Sequence, residues 1–141
     1  MPYLTSRTNT LRQEGPKIQV IFTVPPAIAV ELQKEGKPIP SVQGIGLIDT
    51  GASATSINKR IVDALGLLPL DVQTVHTAGG PSEQLLYDVG VGIPISPMLF
   101  NLQCPQGDFD GQAFDALIGR DVLSMCTLFY NGADGSFTLH F

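Results

Sequence analysis

Tryptophan is absent, cysteine and histidine occur twice each, and the eight basic residues are scattered along the chain. Each scarcity removes a class of function. Cys104 and Cys126 lack CxxC spacing, and with His76 and His140 they are too few and too dispersed to build a metal cage. Two reduced core thiols are the simplest reading of the cysteines, with a disulfide as the alternative. Arg7, Arg12, Lys17, Lys34, Lys37, Lys59, Arg60 and Arg120 form no basic patch and the net charge is −5, so nucleic acid is not an expected partner. No apolar run approaches a membrane span, and the N-terminal "MPYLTSRTNTLRQEG" has no apolar signal core. A cytoplasmic protein without membrane contact is therefore expected. Gly44-Ile45-Gly46 lacks the third glycine of a dinucleotide loop, and His76 has no nucleophile signature beside it, so it reads as a surface or packing residue. No metal and no cofactor are expected.

What is present describes one folded domain. Hydrophobic residues make up 43% of the 141 and charged residues 15%, enough for a core and too little polarity for disorder. Glycine and proline recur every several residues and cut the chain into short segments of the kind found in barrels and small sheets. "KIQVIFTV" (17–24) alternates and is β-branched, so it reads as a strand closed by Pro25-Pro26. "AIAVELQKEG" (27–36) reads as a short helix ended by Gly36, and "PSVQGIGLIDTG" as a second strand. Ile57, Ile61, Val62 and Leu65 share a helical face, with Ser56 or Asn58 as N-cap and Gly66 as terminator. "DVQTVHT" and "SEQLLYDVGVGIPI" flank Ala78-Gly79-Gly80-Pro81 as a hairpin with a glycine tip. "MLFNLQC" follows as a strand and "PQGDFDGQAFD" as a polar loop. "ALIGRDVLSMC" is a strand entering a short helix, and "TLFYNGADGSFTLHF" a terminal hairpin. The alternation of "GSFTLHF" suits an edge strand that meets a second copy, and equally a strand completed within its own chain. Residues 1–16 read as an N-terminal extension, with flexibility an open option, and 17–141 as the domain.

Asp49 is the residue that needs explaining. Gly44 to Ile48 is apolar on both faces, and a carboxylate emerging from such a strand is costly unless donors meet it. Thr50, Gly51, Ala52 and Ser53 form a small-residue turn whose backbone N–H groups can supply those donors. An ordinary Asx turn would place an aspartate here equally well. The second half of the chain repeats the plan: Ala116, Leu117, Ile118, Gly119, Arg120 and Asp121 again run from apolar strand through glycine into a helix, without a second Asp-Thr-Gly.

Together these two motifs resemble the retropepsin-like, single-lobe aspartic proteases, and the likeness covers about residues 17–141. The resemblance implies a mostly β, closed acid-protease barrel with one or two short helices, active as a homodimer because each subunit brings one catalytic aspartate, here Asp49. It implies an aspartic endopeptidase acting on an extended peptide or protein. Thr50 would lock the paired turns across the axis and Gly51 N–H would orient the carboxylate. The hairpin at Thr77, Ala78, Gly79 and Gly80 would be the lid over substrate, and Leu117, Ile118, Gly119 and Arg120 would support the turn. The chain departs from the family in three places. Ser53 stands where an aspartate often does, leaving Arg120 to pair elsewhere or with Asp121. The segment between the first two strands is long, and the hairpin tip has no apolar residue between its glycines. A non-catalytic peptide-binding or dimerisation module on the same fold is the alternative function.

Overall fold

The computed structural model describes residues 2–94 and 99–141, and at Thr77 the backbone alone. The strand at 17–24 forms as its alternation dictates: β2 (Lys17–Thr23) buries Ile18, Val20 and Phe22 on one face. Pro25-Pro26 stops it, and Pro26, whose missing N–H costs nothing at a helix start, opens α2 (Pro26–Lys34). No residue of α2 is buried; Ile28 and Val30 both stay 48% exposed. β3 (Ser41–Ile48) returns antiparallel to β2 and delivers the chain to Asp49.

Ile57 does not join the helix that its spacing suggested. It lies in β4 (Ser56–Asn58), fully buried, and α3 (Lys59–Leu65) begins after it with Ile61, Val62 and Leu65 inward. Asn58 is the N-cap residue but makes no side-chain cap bond, while Gly66 ends the helix at φ +65°, a conformation that disfavours any residue with a Cβ. β5 (Asp71–Thr77) and β6 (Gly80–Gly92) form the expected hairpin, Thr77 opposite Gly80. Ile95 and Met98, read as belonging to the flanking strands, lie outside the described residues. β7 (Leu99–Gly107) runs through Pro105 to Gly107, where a polar loop was expected, because Pro105 pairs with Leu86 and Gln106 with Ile57.

β8 (Ala116–Ile118) then enters α4 (Arg120–Leu123), and β9 (Thr127–Asn131) and β10 (Ser136–His140) finish the chain. β1 (Tyr3–Arg7) pairs over its whole length with β10, and α1 (Leu11–Glu14) buries Leu11, so the first sixteen residues contribute a strand and a core residue. β10 is therefore the middle strand of a β1-β10-β9 sheet, completed within its own chain. Among the described residues there are four helical segments, α1 to α4, against the one or two expected; α1 and α4 span only four residues each.

The other sheet has seven strands in the order β2-β3-β8-β4-β7-β6-β5, with a further ladder between β2 and β6. Its defining step is at β3, β8 and β4. β3 and β4 follow each other in sequence, yet β8 lies between them, parallel to β3 and antiparallel to β4. One core joins both sheets, with Phe22, Ile57, Ile118, Phe137 and Leu139 fully buried in it. Among the described residues no helix is long and apolar enough to cross a membrane.

Candidate active site

Asp49 sits where β3 and β8 end side by side. Its own N–H donates to Ile118 O (2.9 Å), so the second apolar motif fixes where the strand stops. The turn closes around its carboxylate: Gly51 N–H donates to Asp49 Oδ1 (2.9 Å), and Ala52 N–H to Asp49 O (3.2 Å). A charge-assisted bond from backbone to carboxylate holds the side chain in one orientation. Asp49 and Ala52 are half-buried, while Thr50, Gly51 and Ser53 are exposed.

Arg120 reaches this turn from the other motif. Its Nη1 donates to Thr50 O (2.8 Å) and its backbone N–H to Ala52 O (2.9 Å). It does not pair with Asp121, whose carboxylate accepts instead from Thr55 N–H (2.9 Å), the Thr55 hydroxyl (2.7 Å) and Val122 N–H (2.9 Å). The Thr55 hydroxyl, wholly buried, in turn accepts from Gly119 N–H (3.0 Å). Gly119 has to be glycine, because a Cβ there would lie 2.6 Å from the Ala54 carbonyl carbon and 2.9 Å from Thr55 N. Leu117 and Ile118 stand beside Leu47 and Ile48 in the parallel ladder. Thus Asp49, Thr50, Gly51, Ala52, Leu117, Ile118, Gly119 and Arg120 come together as one knot. For Ser53 no side-chain bond is described.

The knot opens onto a depression of about 320 Å³ lined by Pro16, Ile48, Asp49, Thr50, Leu128 and Tyr130. Among the described residues Asp49 is the one carboxylate on its wall. The hairpin tip is not among these lining residues; Ala78 and Gly79 form its exposed two-residue turn, and the Thr77 side chain lies outside the description. A larger apolar cavity of about 700 Å³ lies between α2 and residues Leu65 to Leu70, and holds none of the residues of the knot. Among the described residues no group of three or more His, Cys, Asp or Glu is placed to hold a metal. Cys104 and Cys126 are both free thiols.

Sequence reasoning missed Thr55 and Asp121 as the clasp between the motifs, and Pro16, Leu128 and Tyr130 as walls. Only Asp121 carried a signal, a carboxylate at the start of a helix, and its partner lies 66 residues away. The walls come from segments that meet Asp49 only in three dimensions.

The family model described as aspartyl protease matches residues 30–122. No curated protein sequence matches the chain. Among solved structures, a retropepsin-like aspartic protease from Rickettsia conorii is similar over 99% of this chain and 90% of its own, with a TM-score of 0.59 at 16% identity. The EIAV protease complexed with the inhibitor HBY-793 is similar over 84% of this chain and 92% of its own, with a TM-score of 0.50, also at 16% identity.

Proposed function

The chain belongs to the retropepsin-like aspartyl protease family, and from that premise we propose that it is an aspartic endopeptidase whose catalytic residue is Asp49, working as a homodimer. The observation that carries the proposal is the state of Asp49: a half-buried carboxylate held by Gly51 N–H, facing an open depression with no second carboxylate on its wall among the described residues. Aspartic-protease chemistry needs two. A two-fold axis through that depression supplies the second from an identical chain, without another lobe.

As in aspartic proteases generally, two carboxylates about 3 Å apart cannot both ionise, so one is held protonated beside its charged twin. The charged carboxylate takes a proton from a water between them, and that water attacks the scissile carbonyl. The protonated partner hydrogen-bonds the developing oxyanion and later helps protonate the leaving amine. Arg120 positions the turn through Thr50 O, and Gly51 N–H orients the Asp49 carboxylate itself. In this reading Thr50, exposed beside the axis, ties the two turns together, and the β5–β6 hairpin with Ala78 and Gly79 at its tip closes over an extended peptide. The β2–β6 ladder, joining the second strand to the sixth, supports a closed barrel beneath it.

The test is cleavage of a mixed peptide library from acidic to neutral pH at high protein concentration, wild type against Asp49→Asn. Cleavage by wild type that the substitution abolishes is expected. Equal cleavage by both proteins, or none by either, would refute the assignment, the second result favouring a peptide-binding module on the same fold.

A further inference from the structure

The cavity of about 700 Å³ beside α2 is built from residues that leave little on its wall for a polar ligand to bond. Pro25, Pro38, Pro40 and Pro69 line it, and a proline has no N–H to offer. Ile28 and Leu32 stand one turn apart on α2, so a single face of that helix meets the space. On the other side α3 ends at Gly66, and the chain runs on through Leu70 to β5. There the N–H groups of Gly66, Leu67 and Leu70 already donate to Asp63 O, Val62 O and Leu86 O. The apolar surface around the cavity is left largely uncovered: Ile28 is 48% exposed, Leu70 55% and Leu68 84%. Its volume falls within the roughly 300–1,000 Å³ usual for small-molecule sites.

Two charged residues reach this wall, and their situations differ. Lys37 is engaged, its Nζ 2.9 Å from Glu35 Oε2. Asp88, in β6, is half-buried, and among the described residues no hydrogen bond or ion pair meets its carboxylate. A carboxylate drawn partly out of water without a partner is costly, and a cation that meets it recovers that cost. We propose that the cavity binds a small cationic amphiphile, whose ammonium donates to the Asp88 carboxylate while its hydrocarbon body lies between α2 and Leu67 to Leu70. The sign follows from the wall: an anion would find the prolines without donors, the backbone N–H groups of Gly66, Leu67 and Leu70 in use, and Lys37 held by Glu35. The site shares no residue with the turn at Asp49, so the proposal stands or falls independently of the protease reading.

Titration calorimetry of the full chain at neutral pH tests this with three probes of equal length, decylamine, decanol and decanoate, each kept below the concentration at which it aggregates. Decylamine should bind at least about tenfold tighter than decanol, the gain expected of one charge-assisted bond, and decanoate should bind weakest. Asp88→Asn keeps the size of the side chain and removes its charge; it should abolish the preference for the amine and leave decanol binding within about twofold of wild type. Ile28→Lys, at an exposed helix position, brings a resident ammonium to the wall. It should weaken decylamine at least about tenfold and decanol less, and it serves as the test should Asp88→Asn fail to fold. In NMR spectra of the wild type, the methyl signals of Ile28, Leu32 and Leu67 should shift as decylamine is added.

Equal affinity for the three probes would overturn the selection by charge, and tighter binding of decanoate would make Lys37 the anchor instead. An amine preference that survives Asp88→Asn would overturn the role of Asp88. No binding of any probe would overturn the site itself. So would an affinity that falls as protein concentration rises, because a second copy of the chain would then be covering the apolar wall.

Discussion

Replacing Thr55 by valine changes one hydroxyl for one methyl at nearly constant volume, in a residue with no solvent exposure. Its consequence follows from two bonds. The hydroxyl donates to Asp121 Oδ1 at 2.7 Å and accepts from Gly119 N–H at 3.0 Å. Valine leaves the buried Gly119 N–H without its acceptor, a loss of about 1–3 kcal/mol, and removes a bond to a carboxylate of about 1.5–3 kcal/mol. Asp121 keeps Thr55 N–H and Val122 N–H, and the added methyl is better buried, so the lower half of the combined range applies. A destabilisation of roughly 3 kcal/mol is expected on that basis. With a urea slope of about 1–3 kcal/mol/M, the unfolding midpoint should fall by about 1–3 M, measured at one fixed protein concentration because any self-association would add to stability. Thr55→Ser keeps the hydroxyl and should retain most of the stability. A Thr55→Val midpoint within about 0.3 M of wild type would refute the reasoning, since it would mean that the clasp between the two motifs contributes almost nothing.

Three further outcomes are expected. Arg120→Ala removes the bond to Thr50 O from an exposed side chain; kcat should fall by about three- to tenfold, in keeping with one charge-assisted bond near the surface, with KM little changed and partial recovery in Arg120→Lys. The Ser136 hydroxyl, aided by Arg7, holds the Asp134 carboxyl below its ordinary range. Because the folded value is the lower one, this contact stabilises the β9–β10 turn above the ordinary carboxylate range and is lost as pH falls through the lowered value. An NMR titration should show the Asp134 midpoint rising in Ser136→Ala. Burial pushes both thiols upward, much further at Cys104 than at half-buried Cys126. Alkylation of the native protein near pH 8 should therefore mark Cys126 alone, and Cys104 only after denaturation, as mass spectrometry would show.

The parts of this fold that the sequence disclosed are those with a local cause. The alternation of Ile18, Val20 and Phe22 makes a strand anywhere, Pro25-Pro26 ends it, Gly66 stops a helix, and Ala78-Gly79 tightens a hairpin. Asp49 with its turn was legible for the same reason, since its first stabilising donor, Gly51, is two residues away. Ile57 misled because its spacing to Ile61 fits one helical turn, yet pairing with Ala116 and Gln106 holds it in a strand. β1 had almost no signal: Tyr3, Thr5 and Arg7 face solvent, and its partner is at the far end of the chain. The Thr55–Asp121 clasp was hidden because nothing beside either residue announces the other. Tertiary pairing decides such elements, and local preference is silent about it.

The position of β8 between β3 and β4 also orders events in time. Residues 46–58 contain the Asp-Thr-Gly turn and both flanking strands, but the partners that hold them, Ala116 to Ile118, are joined to them only after some sixty more residues have been made. Contacts of such long sequence separation close late in folding, because the loop entropy has to be lost before they form. A nascent chain, or a fragment ending before Ala116, carries the aspartate without the geometry that orients it. The chemistry proposed for Asp49 therefore waits on the arrival of Ala116 to Ile118.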